Sequence, residues 1–212
     1  VHGMTEYMGR YERFMQDMAA EGGICFGYDH LGHGYTAVDD RELGFIAKKG
    51  GWELLVKDVK VFSDAVIAEY GAGREEMPYC LMGHSMGSFI ARLYVNEYPA
   101  TVSGLIIHGT GGPNPLVGAG KLLAGLVKSF YGPRHRSGLI ENMAFGAYNK
   151  KFPKEEGHNA WLTRDVQMVA GRDTDEFTSF KFTVSAYTDL FTFLSKSNSK
   201  AWFKAYPKAL PT

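Results

Sequence analysis

The stretch Leu81-Met82-Gly83-His84-Ser85-Met86-Gly87 constrains the chain more than any other. An apolar run, Tyr79-Cys80-Leu81-Met82, leads into it. Residues 86–98 continue from it with Phe89, Ile90, Leu93 and Tyr94 at helical spacing, ending before Pro99. A strand therefore meets a helix with no room for a loop. At such a junction Gly-x-Ser-x-Gly sets the serine on a sharp, strained turn with its hydroxyl clear of the sheet. Side chains at Gly83 and Gly87 would collide with the adjoining strand and helix. The helix that follows aims its free N–H groups at the serine, which favours a developing negative charge. Five residues of this pattern arise by chance. Between an apolar strand and an amphipathic helix they mark Ser85 as the expected catalytic nucleophile.

The rest of the first half follows the same alternation. Residues 9–20 carry Tyr11, Phe14, Met15 and Met18 at helical spacing, and Glu21-Gly22-Gly23 ends that helix. Ile24-Cys25-Phe26-Gly27-Tyr28 reads as a short strand. Residues 52–70 read as a helix with Leu55, Val59, Phe62 and Val66 on one face, stopped by Gly71-Ala72-Gly73, and residues 102–107 as another strand. Short apolar strands alternating with amphipathic helices predict an α/β fold, a mostly parallel sheet with helices on both faces. From Gly111 to about Phe180 the pattern is helical with Gly and Pro breaks, an insertion expected over the carboxyl edge of the sheet. This divides the chain into a partial core at 1–110, a helical cap at 111–180 and a return helix to the core at 181–212.

Composition excludes several functions. Lys+Arg and Asp+Glu both number 23, so nothing in the charge calls for a nucleic-acid partner. Cys25 and Cys80 lack metal or redox spacing. They read as small buried hydrophobes, and a pair of thiols without a disulfide framework fits a reducing, cytoplasmic compartment. No apolar run reaches membrane-span length.

Three further motifs surround the serine. His2-Gly3-Met4 stands where an early strand would end. With the serine turn in place, the backbone N–H groups of Met4 and Met86 are the expected oxyanion-hole donors. Asp29-His30-Leu31-Gly32-His33-Gly34 looks like a metal set but has no completing ligand nearby, and it reads as a turn holding loops beneath the site. Gly109-Thr110-Gly111-Gly112 lacks the ending of a phosphate loop and reads as the flexible start of the cap. No metal or other cofactor is expected.

Together, His2-Gly3-Met4, the Asp29-to-Gly34 turn and Gly83-to-Gly87 resemble the monoacylglycerol lipase and lysophospholipase group of α/β-hydrolases, often called serine aminopeptidase-like. The segment Ala160-Trp161-Leu162-Thr163-Arg164-Asp165 and the end Tyr206-Pro207-Lys208-Ala209-Leu210-Pro211 resemble bacterial members. The resemblance implies a serine–aspartate–histidine triad in that chain order. It maps Ser85 onto the nucleophile, and Met4 and Met86 onto the oxyanion donors. It places the acid and base after Thr212 and at least two strands before Val1, so the 212 residues read as an internal fragment that is inactive and poorly folded alone. His84, His108, His135 and His158, and Asp165, Asp173, Asp175 and Asp189, lack the placement such a triad requires.

The implied substrate is a small lipid ester, a long-chain monoacylglycerol or lysophospholipid. Leu122, Leu123, Leu126, Val127, Phe130, Phe145, Phe177, Phe180 and Phe182 supply apolar surface, part of it for packing the cap and part for an acyl chain or transient contact with a membrane surface. The oligomeric state stays open. Two alternatives also stay open. An aminopeptidase of the same fold would need an acidic site for the substrate amine, for which Glu6 and the Glu155-Glu156 pair are the candidates. A non-catalytic lipid-binding module would retain the fold without the triad.

Overall fold

The structure is a computed structural model, and it describes residues 1–71, 73, 77–153 and 156–212. A 3-10 turn at Met8–Tyr11 leads into α1 (Glu12–Ala20). After a stretch whose one regular element is a 3-10 turn at Gly34–Thr36 come α2 (Gly51–Tyr70), β1 (Cys80–His84), α3 (Met86–Glu97) and β2 (Gly104–His108). The second half is helical: α4 (Leu116–Tyr131), α5 (Gly138–Phe145), a 3-10 turn at Tyr148–Lys151, α6 (Val166–Thr174), α7 (Val184–Ser197) and α8 (Lys200–Ala205).

β1, α3 and β2 form a β-α-β unit. The two strands pair in parallel, in register from Cys80↔Gly104 to His84↔His108. The ladder is extended by one rung on each side. Val1 bonds β1 through its N–H to the Met82 carbonyl (2.8 Å) and accepts from the His84 N–H (3.0 Å). On the far side the Leu105 N–H donates to the Pro211 carbonyl at 2.9 Å.

α3 sits at the centre because its apolar positions run all the way round. Met86, Phe89, Ile90, Ala91, Tyr94 and Val95 are all buried, against β1 and β2 on one side and α2 and α7 on the other. α2 contributes Leu55, Val56 and Val59, and α7 contributes Ala186, Tyr187, Leu190, Phe191 and Phe193. Each large apolar side chain so buried contributes about 1.5–3 kcal/mol. This core fixes the position of the first turn of α3, and hence of Ser85.

Several expectations are corrected. Residues 24–28 belong to no strand, because a strand needs a ladder partner and none pairs with them among the described residues. They are held by ring contacts instead. Phe26 stacks on Tyr79 (centroids 5.7 Å apart), and Tyr28 packs on Phe62 at 4.7 Å. The other two strands begin and end later than the apolar runs suggest, since β1 continues through Gly83 to His84. α1 buries none of its residues, so its apolar stripe is not a core face. Cys80 is exposed and Cys25 half-buried, against the expectation of two buried thiols. In β1 the alternate positions Leu81 and Gly83 are buried towards α3, which leaves Cys80 on the opposite, less covered face. The same face of the sheet leaves Ile106 51% exposed on β2. The glycine stop after α2 includes Ala72, which lies outside the described residues.

Candidate active site

Ser85 occupies the one-residue joint between β1 and α3, with φ 52° and ψ −118°. Only Thr5 shares a positive φ among the described non-glycine residues. Such a backbone costs about 1–3 kcal/mol and persists only where its surroundings over-determine it. Here they do. The Ser85 N–H donates to the His108 carbonyl at 2.9 Å, and the Ser85 carbonyl accepts from the Ser88 N–H at 2.9 Å and from the Ser88 hydroxyl at 2.5 Å.

The two flanking glycines are required by close approach. A Cβ on Gly83 would lie 2.7 Å from the Gly87 carbonyl carbon and 2.8 Å from the Ser88 Cα. One on Gly87 would lie 2.5 Å from the His2 carbonyl oxygen and would also overlap the Val1 carbonyl. The strand–turn–helix joint thus packs backbone directly on the 1–3 segment. That approach brings the loop after His2 to the serine: a Cβ on Gly3 would stand 3.1 Å from the Ser85 Cβ and 3.4 Å from the His84 ring. Met86 opens α3, where the first N–H groups have no intrahelical acceptor. Met4 is half-buried in the neighbouring loop.

Beneath this loop lie three imidazoles, His2, His30 and His33, all essentially fully buried. Their centroids are 4.1, 5.2 and 5.9 Å apart. The His2 Nε2 accepts from the His30 backbone N–H (3.0 Å), so His2 is neutral and donates from Nδ1 to the Gly3 carbonyl at 2.8 Å. The His30 Nε2 donates to the His2 carbonyl (3.2 Å) and the His33 Nδ1 to the Leu31 carbonyl (3.1 Å). The Asp29 carboxylate accepts from the Met8 N–H (2.7 Å) and the Tyr35 N–H (2.9 Å). The Asp29-to-Gly34 turn therefore fastens the 2–8 loop from below. Among the described residues no group of three His, Cys, Asp or Glu could hold a metal.

Burial holds the three rings neutral. It pushes His33 down from 6.5 to about 4, and holds His2 and His30 well below 6.5 with help from the neighbouring imidazoles. A histidine depressed in this way withholds a proton that the unfolded chain takes up. Its stabilisation is complete above pH 6.5 and is lost as pH falls from there towards 4. His33 alone should cost about 2–3 kcal/mol between pH 7 and pH 4.5. Urea melts at the two pH values measure this, and His33→Asn should flatten the difference.

The other histidines and acids named from the sequence take separate places. His84 and His108 meet each other, Nδ1 to Nδ1, at 2.7 Å, beside the serine but not on its hydroxyl. Burial pushes His84 down, and the adjacent His108 adds to this. His135 stacks on Tyr131 (4.8 Å), and the backbone N–H of His158 donates to Asp173. Asp165 caps α6, and Asp175 accepts from the Tyr7 hydroxyl at 3.0 Å. Asp189 is buried on α7 against the first turn of α2, and burial pushes it up to about 6. The 109–112 segment is pinned rather than loose. Thr110 accepts from Arg92 (3.2 Å), and the Gly111 carbonyl accepts from Asn198 (3.2 Å).

A cavity of about 220 Å³ opens beside His84, lined by Glu6, Arg10, Asn159, Leu162, Met168 and Arg172 among others. No motif in the sequence marks Arg172. It sits in an unremarkable polar stretch of α6, and only the packing of α6 on the 3–7 loop makes it 8% exposed.

The family model described as serine aminopeptidase, S33, matches residues 1–206. Mouse monoglyceride lipase is 28% identical over 148 residues, 66% of this chain and 44% of that protein. The monoacylglycerol lipase of Mycolicibacterium smegmatis is 28% identical over 111 residues, 51% of this chain and 35% of that protein. The chain thus spans less than half the length of these relatives. A thermostable carboxyl esterase from Bacillus coagulans, solved with glycerol, superposes with a TM-score of 0.88 at 25% identity, over 100% of this chain and 67% of that one. A soluble variant of the Saccharomyces cerevisiae monoglyceride lipase, solved with a substrate analogue, superposes with a TM-score of 0.68 at 21% identity, over 95% and 61%. The match along nearly the whole chain, together with the strained serine between β1 and α3, establishes that the chain belongs to the serine aminopeptidase S33 family and has the α/β-hydrolase fold.

Proposed function

We propose that the protein is a carboxylic-ester hydrolase that cleaves long-chain monoesters, a monoacylglycerol or lysophospholipid, through an acyl-enzyme on Ser85. The observation that carries this is the forced backbone of Ser85 beside the Gly3–Met4 loop. The Ser85 oxygen attacks the ester carbonyl carbon while a histidine base takes the hydroxyl proton. The oxyanion rests between the Met4 and Met86 amides, and the base returns the proton to the departing alcohol oxygen. Water then attacks the acyl carbon, gives one proton to the base, and releases the fatty acid as the serine recovers its proton. The side-chain hydrogen bonds of the described histidines go elsewhere, and none reaches the Ser85 hydroxyl. No described histidine is therefore assigned as the base.

Residues 111–180 serve as the cap. α4 supports this reading: Val117, Gly120 and Ala124 pack inward, while Leu122 (69% exposed), Leu126 and Phe130 (83% exposed) form an outward stripe one turn apart. Such a stripe suits transient contact with a lipid surface holding the substrate. The double variant Leu126→Ser/Phe130→Ser should bind phosphatidylcholine vesicles about ten- to a hundredfold more weakly, as sedimentation would show, because two large apolar side chains no longer leave water. No helix of the described residues is long and apolar enough to cross a membrane.

The aminopeptidase alternative is disfavoured by the state of its acidic candidates. Glu6 is already engaged by Arg172, the Gly3 N–H and the Tyr11 hydroxyl; Glu156 is exposed; Glu155 lies outside the described residues. The deciding experiment labels the full-length protein with a fluorophosphonate, locates the adduct, and assays monoacylglycerol, lysophospholipid and aminoacyl amide side by side. An unlabelled Ser85 would sink the hydrolase reading and leave the lipid-binding module. Turnover of the amide alone would replace the ester hydrolase with a peptidase.

A further inference from the structure

The loop that carries Met4 is strained in its own right. Thr5 has φ 50°, a left-handed conformation that a β-branched residue adopts only under constraint. The constraint comes from a distant helix. The Arg172 guanidinium, on α6, donates to the Thr5 carbonyl (3.0 Å) and to the Thr5 hydroxyl (3.0 Å), and pairs with the Glu6 carboxylate at 3.4 Å. Glu6 carries the linkage onward: its other oxygen accepts from the Gly3 N–H (3.0 Å) and from the Tyr11 hydroxyl (2.8 Å). The Arg172 and Glu6 side chains are only 9% and 12% exposed. Met4 thus lies between two fastened residues, with Gly3 tied through its N–H and Thr5 through its carbonyl.

α6 itself is fastened at this end. The Thr178 hydroxyl donates to the Arg172 carbonyl at 2.6 Å, and the Tyr7 hydroxyl, from the same loop, reaches Asp175 just past the helix. Among the described residues, the polar contacts from α6 and Asp175 to the loop therefore fall on Thr5, Glu6 and Tyr7, directly after Met4.

We propose that Arg172 is a positioning residue that sets the oxyanion loop from α6. Docking of that helix then determines whether the Met4 amide points at the reacting carbonyl. The proposal rests on the reading of Met4 as an oxyanion donor. An oxyanion donor stabilises the transition state only when it is held in place before the charge develops. A loop whose Thr5 prefers another φ relaxes once its clamp is removed. Lysine is a poor replacement, because a single ammonium cannot span the carbonyl, the hydroxyl and the carboxylate as a planar guanidinium does.

The test compares Arg172→Met and Arg172→Lys with the wild type in the full-length protein. Monoacylglycerol kinetics and hydrogen exchange of the backbone amides in residues 3–7 and 86–97 are measured together. In Arg172→Met, kcat should fall about 10- to 100-fold with KM little changed, since the lost interaction acts in the transition state. Exchange in residues 3–7 should accelerate at least about tenfold while α3 stays protected. Arg172→Lys, which keeps the charge and most of the volume, should lie between the two on both readouts. The proposal is overturned if exchange in residues 3–7 matches wild type in both variants, or if α3 loosens as much as the loop, because the arginine would then be a general packing residue. It is also overturned if the loop loosens while kcat holds. A wild-type protein without turnover or Ser85 labelling would instead refute the hydrolase reading, and the exchange measurement would still report whether the clamp exists.

Discussion

Ser85→Ala should reduce monoacylglycerol turnover by at least about 10⁴-fold with substrate binding and fold retained. Removing the nucleophile leaves only the oxyanion donors and binding, which in serine hydrolases supply a small residue of the total acceleration. The stability of the variant carries separate information. Alanine keeps the Cβ that makes φ 52° costly and loses only a hydroxyl, so the denaturant midpoint should barely move. Ser85→Gly removes the same hydroxyl and also relieves the backbone, so it should be equally inactive but more stable, by about 1 kcal/mol. A serine retained at a position where glycine is more stable is kept for its oxygen. Equal midpoints for the glycine and alanine variants would show that the turn stores no strain. Turnover within tenfold of wild type in either variant would remove Ser85 from the chemistry.

Gly87→Ala should destabilise the protein strongly through a single added methyl group. The added carbon would meet the carbonyls of Val1 and His2, and backbone cannot rotate out of the way as a side chain can. Either α3 shifts off the sheet or the 1–3 segment is expelled. The expected cost is about 3 kcal/mol or more, with loss of fluorophosphonate labelling because the loop carrying Met4 moves with the segment. Gly118→Ala is the control. That glycine is within α4, and nothing lies within 4 Å of the position its Cβ would take. There alanine should stabilise by about 0.5–1 kcal/mol through helix propensity. Two glycine-to-alanine changes of opposite sign, read from urea denaturation, separate steric necessity at the serine turn from glycine content in general.

Much of the site could be read from the residues because its causes are local. The turn around Ser85 follows from an apolar strand running into an amphipathic helix, and the need for glycine at 83 follows from the tightness of that turn, whereas the contact that requires glycine at 87 is made with the Val1–His2 backbone. The helices at 51–70 and 86–97 announce themselves by apolar spacing that their burial then matches at Leu55, Val59, Phe89, Ile90 and Tyr94. The strand expected at 24–28 failed for a complementary reason. Apolar β-formers describe a segment suited to a ladder, but a ladder also requires a neighbour, which composition does not specify. The exposure of the Cys80 thiol has a similar cause. Its position in an apolar run is visible in the sequence, but which face of β1 is covered depends on where α3 lies.

The amino-acid sequence by itself determined the chemistry-bearing turn, the alternation of strand and helix around it, and the glycine at 83, because each depends on residues within one or two helical turns of one another; the close approach that demands glycine at 87 comes from the distant Val1–His2 backbone. Only the tertiary structure decided that His2, His30 and His33 meet as one neutral, buried group, that His84 shares a hydrogen bond with His108, and that Arg172 reaches back across more than 160 residues to Thr5 and Glu6. Those contacts depend on how separate segments pack. A polar side chain carries no mark of its distant partner until burial leaves it one place to find a hydrogen bond.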